Sequence, residues 1–375
     1  MQNSVAFIVA PYGFGPSSKA IAISSFLPNS IERVYFGDGP PLEVAKSSNQ
    51  FSKCVKIDFL QPGERIATIL SAYKVLVFIN TMRFVPAMSK IHNSLIFVDT
   101  LAWLRKSQPL CLHLVKAYFA QRFFHYNVSS ILTLNDNFYL TGAIVPKTIN
   151  FTISVTKEEK LLSKVKSPII HCGGLFSPVM CKGADIEFVH QLFEIVKNIN
   201  EPLRIILPKH LHHFFRNNNN TYLSVIDCSP ITVHKHIVGS LFALTTSGIE
   251  FSYESIILGV PTLFLPPFNA SQHLQLAYYK KTFYESILFQ LDNELPQFHS
   301  DSLDKDTVAI QKRGMDGIWK NQFESIGNYL QNAVLSDKLI ADLKAVRENQ
   351  KKEMQLVGHG GADDVATYIM REVYK

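Results

Sequence analysis

The sequence predicts an α/β protein built from two consecutive doubly wound domains, and three observations carry that prediction. Its 375 residues are about twice the size of an ordinary domain and are 47% hydrophobic, enough for two separate cores. Short β-rich apolar runs recur without polar alternation, the pattern of parallel strands buried on both faces. A charged tract, TKEEKLLSKVK at residues 156–166, interrupts the series, and a second series of the same kind begins just beyond it.

In the first half the apolar runs fall at residues 5–10, 33–36, 74–80, 95–98 and 130–134, with helical crossovers at 18–26 and 110–124. These make a βαβ domain over 1–155, followed by a linker over 156–166. The second domain, 167–345, opens with a strand at 169–172, a helix at 186–198 and strands at 203–207 and 223–226. It continues with a helix at 231–238, a strand at 242–245, a helix at 251–258 and a strand at 262–265. The tract 217–220 reads as a surface turn and 297–307 as a polar loop. A charged helix after residue 346, a glycine-rich break at 358–361 and a helix over 363–373 form a C-terminal segment, 346–375, expected to pack back on the first domain.

The formal charge of +6 comes from 37 basic and 31 acidic residues without the long Lys/Arg runs of a nucleic-acid arm. Anionic small ligands fit this balance; nucleic acid is not expected as a partner. Cys54, Cys111, Cys172, Cys181 and Cys228 are odd in number and lack CxxC spacing, so neither a disulfide framework nor a zinc site is indicated. The opening run VAFIVAP lacks the basic flank and length of a signal peptide, and no stretch approaches the roughly 18 apolar residues of a membrane span. A soluble, cytoplasmic protein is the expectation.

The strongest chemical signal is TSGIEFSYESIILGVPTLFLP at residues 246–266. Gly248 ends a strand and opens a helix, where free N–H groups and the positive end of the dipole can hold a diphosphate. Glu254 lies on that helix, and its carboxylate can accept hydrogen bonds from ribose hydroxyls. Gly259 and Pro261 stop the helix and turn the chain into the next strand, beyond which Ser271 and Gln272 stand at the strand's C-terminal end. A second feature precedes it: His171, Cys172, Gly173 and Gly174 end the first strand of this domain, and the glycine pair allows either a plain tight turn or close backbone approach to a phosphate.

This pattern resembles the nucleotide-binding region of the GT-B glycosyltransferases, including the muramyl-pentapeptide N-acetylglucosaminyltransferase of cell-wall synthesis and the glucuronosyl and plant-type transferases. The resemblance matches Ser247 and Gly248 to the family's turn, Glu254 to its ribose carboxylate, Gln272 to its sugar-contacting glutamine, and Gly173 and Gly174 to its diphosphate turn. Ser271 and Gln275 stand where the family commonly has Asp and Asn. The fold implied is two Rossmann-like domains facing across a cleft.

PYGFGPSSK at residues 11–19 follows the first strand, and the resemblance places Gly13, Gly15, Ser17 and Ser18 in a loop on the acceptor side. Many inverting members carry a His near this loop as general base; this chain has serines. Asp99 and Asp38 end or follow strands on the same edge, and Asp99 is the expected base, with a helix cap as its alternative role and a turn residue as that of Asp38. No metal is expected, and His210, His212 and His213 read as a solvated loop. KAYFAQRFFHY at 116–126 reads as a core helix, with a membrane surface or apolar acceptor as the lesser alternative. The resemblance therefore implies an inverting, metal-independent transfer from a UDP- or dTDP-sugar to an unknown acceptor, with no further cofactor. Epimerisation or hydrolysis of the donor, or binding without turnover, are its rivals.

Overall fold

The structure, a computed structural model, describes residues 3–105, 109–124, 135–149, 167–176, 179–216, 220–228, 232–283, 303–333 and 337–375. The first part of the chain runs β1 (Ser4–Val9), α1 (Gly15–Ser24), β2 (Glu32–Gly37), α2 (Gly39–Ser47), β3 (Lys53–Lys56), α3 (Gly63–Leu70), β4 (Val75–Ile79), β5 (Leu95–Asp99), β6 (Ala117–Gln121) and β7 (Phe138–Thr141). There follow β8 (Ile169–His171), α4 (Ala184–Val196), β9 (Leu203–Ile206), β10 (Leu223–Val225), β11 (Ala243–Thr246), α5 (Ile249–Ile257), β12 (Thr262–Leu265) and α6 (Ala270–Phe283). The chain closes with α7 (Leu303–Arg313), α8 (Trp319–Ala333), α9 (Asp337–Val357) and α10 (Gly361–Tyr374). It divides into two compact units: Met1–Phe151 with Glu353–Lys375, and Thr152–Cys228 with Thr232–Lys352.

The first unit is a parallel sheet in the order β3-β2-β1-β4-β5-β6-β7. Its central strands carry apolar residues to both faces because both are covered: Val5, Phe7 and Val9 join a core with α1 and α10, while Ala6 and Ile8 join another with α3. Helix α10 is fastened by Glu372, which accepts from Lys116 Nζ and Lys375 Nζ, both at 2.5 Å. At its start Ala143 N–H donates to Gly358 O at 2.9 Å and Gly361 N–H donates to Ala143 O at 3.1 Å. A side chain on Gly361 would strike the Gly142 carbonyl, so this contact requires glycine.

The second unit is a smaller parallel sheet, order β10-β9-β8-β11-β12. Phe188 of α4 lies edge-on to Phe268, Trp319 and Phe323, which joins α4, α8 and the β12–α6 loop in one aromatic core. Strand β12 is at the edge, and Gln350 of α9 lies against it: Thr262 N–H donates to Gln350 Oε1 at 3.0 Å and Gln350 Nε2 donates to Thr262 O at 2.7 Å.

Three expectations are corrected. The stretch 110–124 is no crossover helix: a short 3-10 turn leads into β6, where Tyr118 and Phe119 point to opposite faces and both are buried. The membrane-facing alternative for KAYFAQRFFHY goes with it, since its described aromatics lie in the core. The end of the supposed 297–307 loop belongs to helix α7, and residue 346 falls inside α9 rather than at the start of a segment. The expected strand at 130–134, the linker at 156–166, most of the 217–220 turn and residues 297–302 lie outside the described residues.

Candidate functional site

The site is built where three adjacent strands, β8, β11 and β12, reach their C-terminal ends, the edge at which α/β sheets bind ligands. After β8 the chain turns through Gly173 and Gly174. An added side chain on Gly174 would run into the Gln272 amide and come within 3.1 Å of Thr246 Oγ1, so the β8 turn, the end of β11 and the first turn of α6 touch at this point. Ser247, fully buried, donates from Oγ to Gln272 O at 2.7 Å. Its hydroxyl ties the end of β11 to the first turn of α6. Gly248 is the N-cap of α5 and supplies no side-chain cap. The first-turn amides of α5 therefore keep their anion-binding capacity, although Glu250 in the same turn offsets part of the positive end.

Gln272 is oriented by its neighbours. Phe268 N–H donates to Gln272 Oε1 at 2.7 Å, so the amide must turn Nε2 toward Gly174 and Thr246. Among the described residues Nε2 has no hydrogen-bond partner, and with the Thr246 hydroxyl it is a side-chain donor at the meeting point of the three strand ends. Asn269 caps α6, accepting from Gln272 N–H at 2.9 Å and Ser271 Oγ at 2.8 Å. Ser271 is thus a capping partner.

His171 lies beneath the glycine turn, its ring stacked on Phe251 with centroids 3.9 Å apart and planes 5° apart. Burial pushes its pKa down to about 3, so the imidazole is neutral near pH 7. Glu254, on the second turn of α5, is 3% exposed and close enough to Cys228 to help raise that thiol, which burial pushes up to about 11. Gly259, with φ +73°, ends α5, and Val260 N–H returns to Ser255 O at 2.9 Å.

A polar support behind the site was not legible in the sequence. Gln311 of α7 is fully buried; it accepts from Cys181 N–H at 2.7 Å and donates to Phe268 O at 3.3 Å. Thr307 accepts from Ala270 N–H at 3.2 Å and Trp319 Nε1 donates to Pro267 O at 3.3 Å. Nothing local distinguishes these side chains from any others on a polar helix; only the tertiary contact does.

In the first unit the candidate residues separate. Gly13 has φ +64° in the turn after β1, while Gly15, Ser17 and Ser18 lie in the first turn of α1, not in a loop. Ser17 is fully buried and hydrogen-bonded to Tyr35 at 2.6 Å. Gly15 borders open space. Asp99 is also fully buried: Arg105 and Tyr118 donate to Oδ2, and Leu101 N–H donates to Oδ1 at 3.0 Å. Both oxygens accept hydrogen bonds, which gives Asp99 an anchoring task. Asp38 caps α2 through Gly39 N–H at 2.8 Å and pairs with Lys56 at 3.2 Å. His210 does have a carboxylate partner, Asp185 at 2.8 Å, but among the described residues no three metal-binding side chains gather. No helix among them is long and apolar enough to cross a membrane.

Neither a protein-family model nor a curated protein matches the sequence. Solved structures match it in fold. Os79 from O. sativa, in complex with UDP, has a TM-score of 0.62 at 11% identity, covering 98% of this chain and 100% of its own. MnaA from S. aureus, a UDP co-structure, has a TM-score of 0.56 at 11% identity over 100% of this chain and 98% of its own. UGT89C1 from Arabidopsis thaliana, complexed with UDP, has a TM-score of 0.55 at 11% identity over 98% and 99%. At such identities the likeness is one of fold: the chain has the GT-B fold along almost its whole length.

Proposed function

We propose that this chain, with its GT-B fold, is a glycosyltransferase that binds a nucleoside diphosphate sugar in its second unit and transfers the sugar, without a metal ion, to an acceptor bound by its first. The observation that carries the proposal is the convergence of Gly174, Thr246 and the Gln272 amide beside the uncapped start of α5. Backbone amides and a helix terminus suit a diphosphate whose charge grows as the glycosidic bond breaks, and a preorganised amide costs no reorganisation at that moment. That structures of the same fold were solved with UDP supports uridine diphosphate as the leaving group, with dTDP as the alternative. Gly173, Gly174 and Gly248 would then cradle the diphosphate, Gln272 would meet the sugar, and Glu254 would hold the ribose. Asp99 takes no part in proton transfer in this proposal.

Thermal shift with UDP, dTDP and their sugars in EDTA tests it. Binding at a hundred times Kd adds about 2.7 kcal/mol, a rise of roughly 5 to 10 °C in the midpoint for a unit of this size. No shift with any of them removes the nucleotide-sugar assignment, and a shift only with divalent metal removes metal independence. The internal bonding of Asp99 and Ser17 favours a second reading, a subunit that binds the donor without turnover. Donor consumed on incubation alone would instead indicate hydrolysis or epimerisation.

A further inference from the structure

The amide of Gln311 is fixed at both ends. Cys181 offers only an N–H and Phe268 only a carbonyl, so Oε1 must face the first and Nε2 the second. These two partners lie in the loops that follow β8 and β12; the first of these also carries Gly174, and the second leads into α6, whose first turn holds Gln272. The main chain of Phe268 is held on its carbonyl side by Gln311 and on its N–H side by Gln272. Because that N–H takes Gln272 Oε1, the position of Phe268 decides where Gln272 Nε2 points. Gln311 itself is fully buried on α7 and reaches the site only through Phe268 and Cys181.

Resting on the nucleotide-sugar assignment above, we infer that Gln311 is a positioning residue for the sugar end of the site, aiming the Gln272 amide through Phe268. The part of the nucleotide end built from the α5 terminus and Glu254 does not pass through this chain of contacts, and the Gly173–Gly174 turn meets it only through Cys181, farther along the loop after β8. Gln311 therefore sets sugar recognition while leaving nucleotide affinity alone. A purely structural residue would weaken both together.

The test is calorimetry of UDP, UDP-glucose and UDP-N-acetylglucosamine with the full chain and its variants. Gln311→Met keeps volume and removes both bonds. It should leave UDP affinity within about twofold and lower the affinity of the sugar-bearing ligand that the parent protein binds tighter by roughly tenfold, about one hydrogen bond to a ligand. Gln272→Ala should produce the same selective loss, and adding Gln311→Met to it should produce no more. If Gln311→Met does not fold, Gln311→Glu, which retains the acceptor for Cys181 but sets an oxygen against the Phe268 carbonyl, should show the same pattern. Equal loss of UDP and UDP-sugar, or a further loss in the Gln272→Ala background, overturns the inference. A parent protein that binds UDP but gains nothing from either sugar also overturns it, while one that binds no nucleotide at all overturns the functional assignment itself.

Discussion

Asp99 closes β5 with its carboxylate turned inward, where Arg105, Tyr118 and the Leu101 amide use both oxygens. Arg105 is 26% exposed and Asp99 not at all, so this is a largely buried pair whose value lies in being complete. Asp99→Asn should cost about 2 to 4 kcal/mol in urea unfolding, because the guanidinium loses its counter-charge, and should leave UDP affinity unchanged. Normal stability with lost turnover would return Asp99 to catalysis. Residue type and strand position made Asp99 and Ser17 visible as candidates, but the direction of a side chain depends on its partner across the sheet. For Asp99 that partner is Tyr118 on β6, a strand that helical spacing concealed. Gly259 was easier: at φ +73° the constraint is in the backbone of the residue itself and survives in the sequence.

At the scale of elements, long apolar runs such as β1, β4 and β5 were legible because burial on both faces leaves no other use for them. Strand β3, KCVK, has no apolar run and lies at the sheet edge, and β6 has aromatics at a spacing that serves either period. Helix α2 was hidden in a GDGPP turn signal; Asp38 caps it, and prolines are tolerated in a first helical turn. Docking of α10 depends on Glu372. Burial alone would raise its pKa, but hydrogen bonds from Lys116 and Lys375 outweigh that and hold it below the ordinary value of 4.5. A depressed carboxylate adds stability above that value and loses it as pH falls through the folded value. Glu372→Gln should therefore destabilise by about 1 to 2 kcal/mol at pH 7, a modest figure because both lysines are more than a third exposed. The difference from the parent should narrow steadily below pH 4.5; a gap that stays constant to pH 3 in denaturant titrations would exclude the ion pairs as its source.

For the molecule as a whole, the βαβ rhythm and the motif at 246–266 sufficed to anticipate a fold that structures at 11% identity share, since layer order and strand-end glycines persist when side chains change. The contacts made by a polar helix such as α7 have no such imprint. Gln350 bears on a different property of the molecule. The N–H and C=O of Thr262 point out of the sheet edge together, the arrangement that lets a strand recruit another chain, and the glutamine amide meets both as a single strand residue would. One side chain thus stands at Thr262 where a partner strand would pair. Gln350→Leu, of similar size, should leave the edge template unanswered. The variant should show concentration-dependent self-association in sedimentation velocity where the parent shows less, with a loss of roughly 1 to 3 kcal/mol from the unmet groups; an equally unassociated but destabilised variant would show that the bulk of α9 alone keeps neighbouring chains away.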